Sequence, residues 1–357
     1  MYLLAISLSK PTGFWPSIIF GMEGSVKNYA LALIIVTVLI KIIMVPFDFI
    51  NKYSSKKSSR QQAEMKPELD KINAKYAHDK NLLNQKTMEV YKSHNFNVMG
   101  TCVGMLVYLV LTMVVFWTLF SSLNGISYYK IGDQFLQVRE SYYSAYEINV
   151  NELDEETTAF AEYEKLTDED KAEFKAVAEK NANEKYNETK TSFLWIENIW
   201  LADTTVSPIM KYDEVISKSS LTKDQISADE YNLVMSHLTD DSRSNNGLFL
   251  LAVLAAGITY LSTVMNTWIS KARAKKKGLD VALVAGGNNK IMTIIMPLIM
   301  GVFTLFYNAA FGLYIVAGAI ISLLTSPLVT LFVDMLEYDA ITKERKKTVA
   351  VYDRKRM

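Results

Sequence analysis

A single lysine, Lys41, stands near the middle of a membrane-length apolar run, YALALIIVTVLIKIIMVPFDFI, at residues 29–50. At about 1.5 Å of rise per residue it lies about 18 Å from the start of that run, slightly past the midplane of a hydrocarbon layer. An ammonium there costs about 2.5 to 3.5 kcal/mol on insertion scales, so the position needs a physical reason. One reason is snorkelling of the long stem toward an interface. The other is a water-filled, protein-lined recess that keeps the charge open to a partner. Thr37 sits one turn earlier on the same face. Further polar stripes at helical spacing follow in other apolar runs: Thr101, Tyr108 and Thr112; Thr259, Thr263 and Asn266; Tyr314, Ser322 and Thr325. Each stripe alone is explained by helix–helix hydrogen bonds or by hydroxyls bonding their own backbone. Three of them beside a buried lysine are what a shared wet cavity also requires.

Other chemistry finds little footing. His78, His94 and His237 are scattered without ligand-spaced partners, so no metal is expected. No phosphate-cradling glycine loop, nucleophile elbow or cofactor motif is legible. With one cysteine, Cys102, no intramolecular disulfide can form. These absences argue against a hydrolytic or redox enzyme, and no cofactor is expected.

The net charge is zero, but apolar residues are gathered into blocks with the charges between them. Span-length blocks cover residues 29–50, 102–123 and 248–268, and a run at 291–333 divides at Asn308 into 291–307 and 309–333. Five spans result. Residues 51–98 carry ten Lys/Arg against five Asp/Glu, 269–290 six against one, and 335–357 seven against four, whereas 124–247 carry twelve against twenty-five. The positive-inside bias therefore places the first three in the cytoplasm and the acidic stretch outside, with the amino end out and the carboxyl end in. Residues 3–8 are too short for a cleavable signal and lack a preceding cationic region, which leaves open an upstream segment that takes the amino end across.

In chain order, residues 1–28 form an extracytoplasmic segment, with GFWPSIIFG at 13–21 read either as an amphipathic interfacial stretch or as a packed loop. Pro46 is expected to bend the first span near its inner end. Residues 51–98 read as an antiparallel cytoplasmic helical hairpin. Met65, Leu69, Ile72 and Tyr76 line one arm, residues 77–80 break it, and Leu83, Val90 and Tyr91 line the other. A solvated coiled coil and a basic docking arm are both consistent with it. In the acidic region 124–247, Phe160, Tyr163, Leu166, Phe174 and Val177 predict amphipathic helices, and FLWIENIWLAD at 193–203 is expected at the outer membrane interface. The basic loop 269–290, with KARAKKK at 271–277, is explained by topology and anionic lipid headgroups before nucleic acid, and no DNA partner is expected. The basic tail 335–357 has a free end within reach of ribosomal RNA.

Several stretches occur in an order that resembles the YidC family of membrane protein insertases, bacterial relatives of the mitochondrial Oxa insertase. They are NYALALIIVTVLIKIIMVPF (28–47), MKPELDKINAKY (65–76), VYKSHNFN (90–97), GTC (100–102), FLWI (193–196) and MPLIMGVFTLFYNAAFGLY (296–314). The resemblance implies an all-α polytopic fold: a five-transmembrane-helix bundle with a cytoplasmic helical hairpin and, here, an enlarged helical extracytoplasmic insertion. It implies a groove open to cytoplasm and lipid, with Lys41 where the family usually carries arginine. Lysine keeps the charge and loses the planar fork. Other departures are Gly104 and Tyr108, where proline and glutamine are common, and Ile315, Ala317, Gly318 and Ala319 in the last span, which leave a drier groove.

The resemblance also implies a bacterial plasma-membrane insertase without covalent chemistry, whose partners are nascent membrane proteins and the lipid bilayer. The ribosome, the signal recognition particle pathway and the Sec translocon are further candidates. Two rivals differ in class. A solute transporter would show paired repeats and broken helices, and neither is seen. A membrane-anchored assembly or sensor protein would act through the acidic region, with the groove vestigial.

Overall fold

A computed structural model describes Ile6 and residues 8–153, 157–239, 246–276 and 290–356, with the side chains of 98–102, 290–292 and 343–356 outside the description. Lys277 of the basic run and most of the loop 269–290 fall outside the described residues. Among those described the chain is all-helical. Its only β pairing is two isolated bridges, Phe193 with Ile196 and Ala202 with Asn308.

The helices are α1 (Phe14–Val26), α2 (Tyr29–Tyr76), α3 (Lys80–Ser93), α4 (Val98–Ser144), α5 (Ala159–Glu164), α6 (Asp168–Thr189), α7 (Tyr212–Lys218), α8 (Ala228–Met235), α9 (Leu250–Lys276), α10 (Lys290–Phe306) and α11 (Ala309–Arg356). Four of them, α2, α4, α9 and α11, contain stretches long and apolar enough to cross a membrane, and α10 contributes a shorter apolar helix. The boundaries between polar and apolar text do not interrupt these helices. α2 and α11 run 48 residues each and α4 runs 47, carrying the backbone ladder past the apolar runs into polar sequence. Pro46 and Pro67 lie inside α2 and Pro327 inside α11; each removes one backbone donor without ending its helix.

Two compact units divide the chain: residues 1–37, 117–255 and 299–317 form one, and 38–116, 256–298 and 318–357 the other. In the first, α1 is a helix rather than a loop. It buries Pro16 and Ile19, exposes Phe14, and is held by Trp15 Nε1 donating to Thr118 Oγ1 at 2.9 Å and by the Lys130–Glu23 ion pair at 2.9 Å. The acidic region folds on the continuation of α4. Thr158, Thr167 and Ser227 cap α5, α6 and α8 by accepting backbone N–H bonds, which fixes where each helix starts. Arg139 and Glu230 form a buried ion pair at 2.6 Å, and Phe135, Tyr142 and Tyr143 complete the core around it. The expected apolar stripe is only partly right. α6 buries Ala178, Ala182 and Tyr186, while Phe174 and Val177 stay exposed, because close helix packing there takes small side chains.

The aromatic stretch 193–203 is core rather than interface for most of its length. Ile196, Ile199, Trp200 and Leu201 are buried, with Trp200 edge-on to Tyr29 at 4.6 Å, and only Leu194 and Trp195 at the tip are exposed. It caps two helices, α11 through its backbone and α9 through a side chain. Ile199 and Leu201 carbonyls accept from Ala310 N at 2.8 Å and Ala309 N at 2.7 Å, and Asn308 Oδ1 accepts from Phe311 N at 2.9 Å. The opening donors of α11 are thereby satisfied, as an apolar-flanked helix end requires. Asp203 does the same for α9, its Oδ2 accepting from Leu251 N at 3.1 Å. Asn246 fixes the strand of chain that supplies these groups, its side chain bonding Asn198 N, Asn198 O and Ala202 O.

Burial pushes the Asp203 carboxyl above the usual carboxylate range, against the backbone N–H bonds from Leu251 and Ala252. A group with a raised folded pKa contributes stability at acid pH that is lost as pH rises through that pKa, so Asp203→Asn should flatten this part of a stability–pH profile. Gly247 lies against the same carboxylate, where an added Cβ would meet Asp203 Oδ1 at 1.7 Å. Gly247→Ala should therefore destabilise the protein by about 1 to 3 kcal/mol and Asp203→Ala by about 1 kcal/mol. The two should be strongly non-additive in thermal unfolding of the micelle-solubilised protein, since the alanine at 203 removes the clash.

Candidate functional site in the second unit

Within the second unit one face of α2 is polar. Lys41, Asp48, Lys52, Lys56 and Arg60 follow at spacings of seven, four, four and four, which brings them along one side of the helix. The last three meet a matching row on α11. Lys52 Nζ donates to Ser326 O at 2.9 Å, to Ser326 Oγ, and to Thr330 Oγ1 at 3.1 Å. Lys56 Nζ donates to Ser270 Oγ of α9 at 2.8 Å and pairs with Asp334. Arg60 pairs with Glu337 at 2.8 Å. Asn266 joins the third helix, donating to Ser326 Oγ at 2.9 Å and accepting from Thr330 at 2.9 Å. Tyr338 donates to the Ser270 carbonyl at 3.1 Å, and Phe49 packs on Phe332 at 5.9 Å. Asp334, Glu337 and Thr330 are buried, so this ladder is shielded and its ions need one another.

Lys41 lies one turn beyond the buried Thr37 and is half-buried itself. Among the described residues no hydrogen bond or ion pair at contact distance holds it, while the Asp48 carboxylate acts on it and on Lys52 Coulombically. Asp48 in turn accepts a hydrogen bond from the Tyr108 hydroxyl of α4. On α4 the half-buried positions 108, 111–112 and 115–116, with buried Leu119, recur at helical spacing amid exposed apolar neighbours such as Val107, Val110 and Trp117. Tyr108 and Thr112 are thus on the inward stripe.

The predicted lining residues separate into two groups. Tyr108 and Asn266 make contacts between helices in this unit. Thr37, Thr112 and Thr263 bond carbonyls one turn back on their own helices, Leu33, Tyr108 and Thr259, so their hydroxyls are satisfied locally. Ser322 is half-buried on α11. Tyr314 belongs to the first unit, tilted on Phe311 at 5.9 Å between ring centres, and the side chain of Thr101 lies outside the described residues. Sequence reasoning missed Asp48 and the ladder. Lys52, Lys56 and Arg60 read as a solvated basic exterior, although their spacing of four against Ser326, Thr330 and Asp334 at the same spacing was the available signal.

In the first unit a cavity of about 190 Å³ is lined by Asn183, Tyr186, Asn198 and Asn246 among others. These polar groups are committed to the surrounding chain, Tyr186 to Pro208 O and Asn246 to the 198–202 carbonyls. Among the described residues no cluster of His, Cys, Asp and Glu could hold a metal ion.

The sequence matches the family model of the 60Kd inner membrane protein over residues 21–334. The chain belongs to that family. The family resemblance drawn from residues 28–47 and 296–314 is thereby established, and the chain is a multi-pass bacterial membrane protein. Among curated relatives, one from Fusobacterium nucleatum is 42% identical over 98 residues, covering 28% of this chain and 46% of the relative. One from Geobacter metallireducens is 37% identical over 98 residues, 28% of this chain and 17% of the relative. One from Anaeromyxobacter sp. Fw109-5 is 30% identical over 122 residues, 33% and 22%. Each is named membrane protein insertase YidC. The matched segments thus span under half of these relatives' lengths. No solved structure matches the chain.

Breaking the ladder should be costly and reversible by exchange. Lys56→Ala or Asp334→Ala, each leaving one buried charge without its partner, should lower stability by about 3 to 5 kcal/mol, whereas the paired change Lys56→Met with Asp334→Leu should recover most of that loss. Thermal unfolding in micelles, with the four proteins side by side, measures it.

Proposed function

We propose that this chain is a membrane protein insertase that moves polar tails of client proteins through a hydrated groove and releases their hydrophobic spans into lipid. The observation that carries the reading is Lys41, a cation placed at the middle of the first apolar run of a protein whose relatives are named insertases. In this reading α10 is the fourth of five spans, the amino end lies outside, and the α2–α3 pair is a cytoplasmic hairpin. Support for the hairpin comes from Asp79, which caps α3 after a short break, and from His94 at the far end of α3, which reaches Glu68 of α2 at 3.3 Å. Support for the orientation is the excess of Lys/Arg at 51–98, 269–290 and 335–357.

The work is electrostatic and involves no covalent step. A client with a hydrophobic span and an acidic tail arrives from the ribosome, guided by the hairpin, with the signal recognition particle pathway and the Sec translocon as further partners. Its tail enters the groove beside Lys41, with Tyr108, Thr112, Asn266 and Ser322 among the lining groups, and is attracted by a few kcal/mol at an effective dielectric of about 20. Thr259 and Thr263 of α9 are further polar groups in the proposed lining. The client's apolar span then slides into lipid, and burial of that surface drives completion. Lowering the desolvation barrier of the tail is the catalytic service, performed at the bacterial plasma membrane.

Proteoliposomes carrying this protein test the proposal with a single-span client bearing an acidic outer tail. Wild type and Lys41→Arg should insert it. Lys41→Ala should insert it several-fold more slowly and Lys41→Glu more slowly still, as loss and then reversal of one groove charge require. Insertion by wild type no better than by empty liposomes, with a client that inserts in native membranes, would overturn the insertase reading.

A further inference from the structure

Asp48 has no place in a groove that works by positive charge alone, yet the sequence puts it inside the first apolar run and the fold keeps it there. It lies seven residues after Lys41 and four before Lys52, on the same side of α2, where its carboxylate acts Coulombically on both ammonium groups. Half-buried at the inner end of that run, about 28 Å from its start, the carboxylate loses part of its hydration and needs something to compensate it. Two things do. The Tyr108 hydroxyl donates to Asp48 from the inward stripe of α4, and the flanking lysines offset its charge. The lysines differ in their commitments. Lys52 is bound to Ser326 and Thr330 on α11, whereas no described residue holds Lys41 by hydrogen bond or ion pair.

We infer that Asp48, oriented by Tyr108, is the resident counter-ion of Lys41 and sets the charge selectivity of the groove. This rests on the insertase reading and specifies its substrate class. With Asp48 in place the groove offers Lys41 and a carboxylate two turns apart, so an acidic tail competes with Asp48 for Lys41, and a tail bearing a basic residue finds a partner of its own. The groove therefore accepts mixed and basic tails that a bare cation would repel, at the expense of its preference for purely acidic ones. Tyr108 is a positioning residue: it fixes the carboxylate against α4 and leaves Lys41 accessible.

The test uses the full-length protein in proteoliposomes and matched single-span clients whose outer tails differ only in being acidic, neutral or basic. The readout is the ratio of acidic-tail to basic-tail insertion, which a general loss of folding would not change. Asp48→Asn keeps an acceptor for the Tyr108 hydroxyl and removes the charge, and it should raise the ratio several-fold, chiefly by depressing insertion of the basic tail. Tyr108→Phe frees the carboxylate and should shift the ratio in the same direction by a smaller factor. Lys41→Ala should lower the ratio in both the wild-type and the Asp48→Asn backgrounds. An unchanged ratio in Asp48→Asn, with Lys41→Ala still slowing the acidic client, would overturn the assignment of Asp48 while leaving the insertase reading standing. Failure of wild type with every client would instead overturn the reading beneath it.

Discussion

A charge inside an apolar helix bundle must be paired, hydrated or paid for, and that constraint organises the second unit. α2 carries five ionisable side chains along one side, from Lys41 to Arg60. The row at Lys52, Lys56 and Arg60 is neutralised by hydroxyls, carbonyls and carboxylates at matching spacing on α11, with α9 contributing Asn266 and Ser270. Such pairing yields little net stability but strongly penalises any other register, because sliding α11 by one residue would leave buried ions facing apolar side chains. The ladder is therefore a registration device. It leaves Lys41, beyond its last rung, as the charge of that row not consumed in holding helices together, with Asp48 tied to α4 through Tyr108.

The first unit answers a different form of the same constraint. A helix that begins beside apolar neighbours exposes N–H groups that neither lipid nor apolar side chains can satisfy. The chain around Ile199, Leu201 and Asp203 supplies acceptors to α9 and α11 at once, and Asn246 holds that chain in place. Small steric details follow. Gly247 is glycine because Asp203 already occupies the volume a side chain would need.

Legibility in the sequence tracked how local each cause was. The division at Asn308 was readable, since that residue caps the helix after it, and so was the break before Lys80, capped by Asp79. Lys41 stood out because its neighbours are apolar. What escaped was set by contacts between distant segments. Lys52 and Lys56 read as surface because their partners lie more than two hundred residues away. The aromatic run at 193–203 read as interfacial because hydrophobicity alone does not distinguish lipid from a protein core. Span bounds and helix ends are different quantities: hydropathy marks where a segment leaves an apolar medium, whereas hydrogen bonding decides where the helix stops, and α2, α4 and α11 run on past their apolar runs.

The unbroken course of α2 has a mechanical meaning. From Lys41 to its end at Tyr76 there is one continuous rod of about 50 Å at 1.5 Å per residue, clamped partway along by the rungs at Lys52, Lys56 and Arg60. A load applied near Tyr76 is met at those rungs before it reaches Lys41, and Pro46, between the rungs and the charge, removes one backbone bond and softens that last link.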